Sequence, residues 1–236
     1  MSDQHRIRSA RIQTSISLSV IRRFYHDALD ADHDESSNQN FEFAIGDSAL
    51  ALTESVERAS PLYHFAFNIS ENKIDAARDW LAERVELIET PPEFRDPAHA
   101  PEVRWFKSWN AHALYFLDPA GNVVEFIARH DLPSAADGPF TPADILGISE
   151  IALAANDTLA LANWIHEVTG FEPYKDQSET FRPMGDERGM FVIFKTGTEL
   201  IGGITAQPAP VKVTVRGAKP GVHKAPGYPY EIEVIE

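Results

Sequence analysis

Ala113-Leu114-Tyr115-Phe116-Leu117-Asp118-Pro119-Ala120-Gly121-Asn122-Val123-Val124-Glu125-Phe126 is the stretch that sets the reading of this chain. Two apolar runs flank Asp118-Pro119-Ala120-Gly121, where proline presets a turn dihedral and glycine supplies a positive φ, so a tight hairpin is expected. A turn at these four residues pairs Leu117 with Val123 and Tyr115 with Glu125, which puts Tyr115 and Glu125 on one face. His112 falls on the opposite parity and reads as a structural histidine. Glu125 is the informative residue, because Val123, Val124, Phe126 and Ile127 around it belong in a core. A carboxylate taken out of water is costly unless a cation or hydrogen-bond donors meet it. A partner for Glu125 is therefore expected inside the fold.

Upstream, Leu62-Tyr63-His64-Phe65-Ala66-Phe67-Asn68-Ile69 alternates as a strand does, with Tyr63, Phe65, Phe67 and Ile69 on one face and His64, Ala66 and Asn68 on the other. Ser70 stands where a helix N-cap belongs. Ile74, Ala77 and Leu81 follow at helical spacing, so a helix from Glu71 to about Arg84 is expected to cover the greasy face. After the four prolines of Thr90 to Pro101, Trp105 to Leu117 and Asn122 to Arg129 read as the hairpin strands, and a short strand near Glu86 to Ile88 completes a βαβββ unit. His64 and Glu125 then both stand on strand faces turned away from the helix, where a curved sheet closes around a pocket.

The unit recurs. Upstream, Ile7 to Thr14 reads as a strand, Leu18 to Leu29 as a helix with Val20, Ile21, Phe24 and Leu29 inward, and Phe41 to Ile45 with Ala49 to Leu52 as the strands that follow. Downstream, Ile148 to Ala155 matches the opening strand, with Glu150 in the place of His64. A helix over Asp157 to Val168 ending at Gly170 comes next, then Gly189 to Phe194 and Glu199 to Ile204. Leu132 to Pro142 is rich in proline, serine, alanine and glycine and reads as a linker. From Gln207 onward five prolines interrupt regular structure, and Val211 to Val215 with Glu231 to Ile235 are candidate edge strands of a divergent fourth unit. The expected organisation is a two-module domain over 1–131, a linker over 132–145, and a third module with a partial fourth over 146–236. The polar, acidic stretch Asp27 to Asn40, with His26 and His33, reads as a solvated loop.

Composition narrows the function. Of 236 residues 43% are hydrophobic and 24% charged, which is enough apolar material for a core. Acidic residues outnumber basic ones 36 to 21, a formal charge of -15, so nucleic acid and acidic membrane surfaces are disfavoured partners. No signal-peptide or membrane-spanning run is present, and a cytoplasmic location is expected. Without cysteine, any metal must be held by nitrogen and oxygen. Gly202-Gly203 lacks the lysine and helix of a nucleotide loop, and no Gly-x-Ser-x-Gly elbow exists for serine hydrolysis.

The strand Tyr63 to Ile69, the helix after it and above all Ala113 to Phe126 resemble the vicinal oxygen chelate superfamily of glyoxalases, bleomycin-resistance proteins and extradiol dioxygenases. Its final hairpin reads aromatic-x-Asp-Pro-x-Gly-Asn-x-x-Glu. Phe24-Tyr25 is similar to the family's Phe-Tyr pair at the end of the first helix. The resemblance spans about residues 7 to 129, and 146 to 204 more weakly. It implies an α+β fold of repeated βαβββ modules in a curved mixed sheet with helices outside. It also implies a divalent metal, iron, manganese, zinc, cobalt or nickel, on His64 and Glu125. The third ligand position falls on Ala10 of the first module, which cannot ligate. Gln13 or His5 could replace it only with a shifted strand register, and in the third module Glu150 and Glu199 read as remnants of an equivalent site, Glu199 beside Gly197 and Thr198 equally as part of an exposed turn.

Two functions follow. In the first, a metal on His64 and Glu125 polarises adjacent oxygens of a small oxygenated substrate, with Glu125 and Tyr115 catalytic, in a lyase, isomerase or dioxygenase reaction. In the second, the protein sequesters a small molecule without turnover, as bleomycin-resistance proteins do, and Ala10 favours that reading. Trp105, Trp109, Asn110 and Asn68 are the candidate ligand-binding residues, the Arg104 to Asn110 loop being either a stacking surface or a lid packed on the core. A homodimer is the further partner the resemblance allows.

Overall fold

The computed structural model describes residues 6–31, 40–55 and 61–236. The fold is α+β, and its thirteen strands among the described residues form two curved mixed sheets with three α-helices packed outside them. Each unit opens with a strand, crosses over, and returns a parallel neighbour to the opening strand.

The first unit holds β1 (Ile7–Thr14), α1 (Leu18–Leu29), β2 (Asn40–Ile45) and β3 (Ser48–Glu54). The second holds β4 (His64–Ile69), α2 (Ile74–Ala82), β5 (Arg104–Phe106), β6 (Ala111–Leu117) and β7 (Val123–Arg129). The third holds β8 (Ile145–Ala155), α3 (Thr158–Thr169), β9 (Phe181–Asp186) and β10 (Gly189–Lys195). The fourth is β11 (Val211–Arg216), β12 (Gly221–Lys224) and β13 (Tyr230–Ile235), a unit without its helix.

Units two and three share the seven-stranded sheet β5-β6-β7-β4-β8-β10-β9; units four and one share the six-stranded sheet β12-β13-β11-β1-β3-β2. The strands therefore pair across the linker, and the two-module domain expected over 1–131 is not how the sheets are built. An opening strand has one edge taken by its own unit. The other edge needs a partner, and β4 takes β8 while β1 takes β11. For the same reason β11 and β13 are inside their sheet rather than at its edge, which β12 and β2 occupy.

The hairpin forms as the turn chemistry requires, with Leu117 opposite Val123 and Tyr115 opposite Glu125. Gly121 takes φ 84°. Asp118 accepts bonds from the N–H groups of Ala120 and Asn122, both at 2.9 Å, and from Asn122 Nδ2 at 2.8 Å. Tyr25 donates its hydroxyl to Asp118 at 2.9 Å, and Tyr63 N donates to Asn122 Oδ1 at 2.9 Å. The Asp-Pro-x-Gly-Asn motif thus ties the hairpin to α1 and β4.

Several local expectations are corrected. Ser70 is not the cap of α2, which starts after Lys73; Ser70 Oγ instead donates to Asp144 at 3.0 Å, beside the ion pair of Lys73 with Asp144 at 2.9 Å. The strand expected from Trp105 to Leu117 is broken at a 3₁₀ turn, Lys107–Trp109, followed by Asn110 at φ 48°. Near Glu86 to Ile88 only a single bridge forms, Leu87 to Phe116. Glu199 to Ile204 contains a 3₁₀ turn over Ile201–Gly203 rather than a strand. Val20 faces solvent at 47% exposure, while Ile21 and Leu29 are buried. His5 and His33 lie outside the described residues.

Candidate metal centre

β7, β4 and β8 are adjacent, and their register sets Glu125, Ala66 and Glu150 in one row across the sheet. Paired residues share a face, so both carboxylates rise from the same side, with only a methyl group between them. His64, two residues before Ala66, rises from that face too. His64 Nε2 is 3.3 Å from Glu125 Oε2. His64, Glu125 and Glu150 each offer one ligand atom, all within 4.8 Å of one another, and all three residues are buried. Tyr115, across from Glu125, extends the row, its ring centroid 6.3 Å from that of His64.

These residues sit in a cavity of about 410 Å³. Phe94, Phe106, Trp109, Phe181 and Phe194 supply aromatic wall, and Arg104 and Glu199 supply charge. The Arg104 guanidinium lies over the rings of Phe94 and Phe106, at 4.3 and 4.7 Å. Both modules of the cup come from one chain, so a second copy is not needed to complete it.

His64 Nδ1 lies 3.2 Å from the Val123 carbonyl, an acceptor only, which places the proton of a neutral imidazole on Nδ1. The Nε2 lone pair then faces a carboxylate oxygen, a contact that needs a proton or a cation between. Burial pulls the His64 pKa down, but the hydrogen bond and charge of Glu125, with Glu150 beyond, outweigh it and the pKa is raised. Glu150 is pushed up to about 7 by burial first and the Glu125 charge second, against the pull of Arg129 and His64. Burial and the Glu125 charge also raise Tyr115, keeping its phenol protonated. Arg129, fully buried, meets Glu150 at 2.5 Å and Ser149 Oγ at 3.1 Å, and lies 5.2 Å over the Trp109 ring. Glu125 Oε1 is buried with no hydrogen-bond partner among the described residues. A nitrogen and two carboxylates with one orphaned oxygen are a donor set suited to a hard or borderline divalent cation.

The third module supplies no counterpart of Glu125. β4 and β7 pair Ala66, two residues past His64, with Glu125; β8 and β10 pair Ala152, two residues past Glu150, with Val192.

Of the residues singled out in the sequence, His64, Glu125, Tyr115, Trp109, Glu150 and Glu199 line the cup, with Arg104 and Phe106 of the 104–110 loop. Trp105 does not; it stacks on His112 at 4.4 Å on the opposite face. Asn110 donates to Asp131 at 2.8 Å and Asn68 to the Glu187 carbonyl at 2.8 Å, and neither lines the cavity. Ala10, where the resemblance puts a third ligand position, stands in the other sheet beside Val213 and Leu50, away from His64 and Glu125. Gln13 is on that same strand. Glu150 is the residue that stands beside His64 and Glu125, and its place opposite Ala66 follows only from the β4–β8 pairing. The cup residues Phe94 and Phe181, and the Arg129 counter-ion, were not found from sequence; a charged residue ending the core strand Val123 to Arg129 was the one signal for Arg129.

This is a glyoxalase/dioxygenase-like fold. Among solved structures, a protein proposed to be a dioxygenase from Bacillus subtilis matches with a TM-score of 0.61 at 12% identity, covering 99% of this chain and 86% of the other. Glyoxalase I from Zea mays matches with a TM-score of 0.55 at 13% identity, covering 98% and 92%. At such identities the likeness concerns the fold. No protein-family model and no curated protein matches the sequence.

Proposed function

We propose that this chain is a divalent-metal-dependent enzyme acting on a small oxygenated molecule in the cup, by glyoxalase-like lyase or isomerase chemistry or by dioxygenase chemistry. The observation that carries it is the orphaned Glu125 oxygen, buried beside a histidine nitrogen and a second carboxylate. His64, Glu125 and Glu150 are the residues that hold the cation. Iron(II), manganese, zinc, cobalt and nickel all suit the donor set. When bound, the metal supplies Lewis-acid polarisation of substrate oxygens. Tyr115 presents a protonated phenol to the substrate, and Arg104 offers a cation to an anionic group at the mouth. The aromatic walls exclude water and strengthen both interactions. No helix among the described residues is long and apolar enough to cross a membrane, and the acidic surface disfavours nucleic acid.

A second reading rests on Arg129. With His64 protonated, two cations face two carboxylates, and the cluster balances without a metal, as a non-catalytic binding protein of the bleomycin-resistance kind would allow. Elemental analysis of protein purified without added metal separates the two, alongside His64→Ala, Glu125→Ala and Glu150→Ala. The enzyme reading expects each variant to hold one equivalent fewer than the parent, and dialysis against chelator to abolish turnover. Equal metal in parent and variants, with ligand affinity unchanged by chelator, leaves only the binding reading.

A further inference from the structure

On the face of the seven-stranded sheet away from the cup, three further donors converge. His112 alternates with Ala111, Ala113 and Tyr115 of the cup face and so points the other way, toward α2 and the loop before β5. That loop brings Asp96 and His99 onto it. Asp96, His99 and His112 each offer a ligand atom, all within 4.8 Å of one another. We propose that these three side chains form a second transition-metal site, independent of the cup, that pins the loop to the sheet.

The hydrogen bonding prepares both histidines as ligands. A ligating imidazole commonly donates its other ring N–H to an acceptor, which fixes the tautomer and raises basicity. His99 Nδ1 is 2.8 Å from Asp75 Oδ1 on α2, which leaves Nε2 for an ion. His112 Nδ1 is 2.8 Å from His130 Nε2, which leaves Nε2 facing Asp96. That last contact is 3.3 Å, longer than the about 2.7–2.9 Å of a charge-assisted hydrogen bond. It matches the edge, about 3.3 Å, of a tetrahedron with metal bonds of about 2.0–2.1 Å. The His112 ring lies 4.4 Å from that of His99 and 4.4 Å from that of Trp105, contacts that hold it in place. His112 is buried whereas Asp96 and His99 are half-buried, so an ion has a way in.

Two imidazoles and a carboxylate suit zinc, nickel or copper rather than magnesium or calcium. The loop carrying Asp96 and His99 also carries Phe94 and leads into Arg104, both of which line the cup. Metal on the outer face would hold that wall of the cup in place.

Zinc chloride is the probe. Parent, His99→Ala and Asp96→Asn are equilibrated with zinc and desalted, and bound zinc is measured by elemental analysis, with circular dichroism as the check of folding. A His64→Ala/Glu125→Ala protein, impaired in the cup, is taken through the same series. The expected result is one equivalent of zinc lost in His99→Ala and Asp96→Asn, and one equivalent retained by the cup variant unless His99→Ala is added. Asp75→Asn should weaken zinc at this site by about 10- to 100-fold. If folded His99→Ala and Asp96→Asn hold as much zinc as the parent, the outer site does not exist, whatever the cup variants show.

Discussion

Replacing Arg129 by methionine tests the charge balance of the cup directly. The guanidinium is fully buried, 2.5 Å from Glu150, bonded to Ser149 and set over Trp109. Methionine keeps much of the packing and removes the charge. Breaking a buried ion pair from one side costs about 3–5 kcal/mol, which for a chain of this size lowers Tm by about 6–20 °C. The cost must depend on pH. Glu150 already sits up at about 7 with Arg129 beside it, and without that cation its pKa rises further. Between the two values the variant's folded state binds a proton that the parent's does not. The stability gap therefore widens as pH rises above about 7, by about 1.4 kcal/mol per pH unit. Chemical denaturation of both proteins in chelator at pH 6, 7, 8 and 9 reads this out. Divalent metal in excess should narrow the gap, because the ion then meets Glu150. A loss under about 1 kcal/mol, or one that is the same at every pH, would falsify the argument that Glu150 is held charged by Arg129.

Three other outcomes are expected. Metal affinity at the cup should weaken as pH falls below about 7, the value near which Glu150 takes a proton. Each proton displaced by the metal makes this about tenfold per pH unit; calorimetric titration between pH 5.5 and 8 that found a flat profile would remove Glu150 from the ligand set. Tyr25→Phe removes the buried hydrogen bond to Asp118 and should cost about 1.5–3 kcal/mol in urea unfolding, with metal content unchanged. Asp144→Asn breaks the buried pair with Lys73. Burial pushes the Asp144 pKa up, but the bonds from Lys73, Thr141 and Ser70 outweigh it and hold the pKa below 3.8. The contribution is thus present above that pH and lost as pH falls through the folded value, so parent and variant stabilities should differ at pH 7 and converge in strong acid.

Much of this molecule is legible residue by residue. The pairing of Tyr115 with Glu125 follows from four turn residues and a period of two, and the structure has it. The opening strand and helix of each of the first three units follow from alternation and helical spacing. Boundaries were less readable: Ser70 looks like a cap because its residue type suits one, yet its hydroxyl is taken by Asp144, remote in sequence and paired with Lys73. Trp105 looks like a pocket aromatic by composition, and only the break at Asn110 shows that it belongs to the outer face.

What the sequence determined by itself is therefore the unit: a βαβββ module with His64 and Glu125 on its concave face, because turn chemistry and periodicity act within a few residues of one another. Which unit completes the cup was decided by tertiary structure alone. The unpaired edge of β4 can accept any opening strand of suitable pattern, and the backbone groups along it do not distinguish β1 from β8. Packing of the whole chain selects β8, and so brings Glu150 to the site and leaves Ala10 in the other sheet.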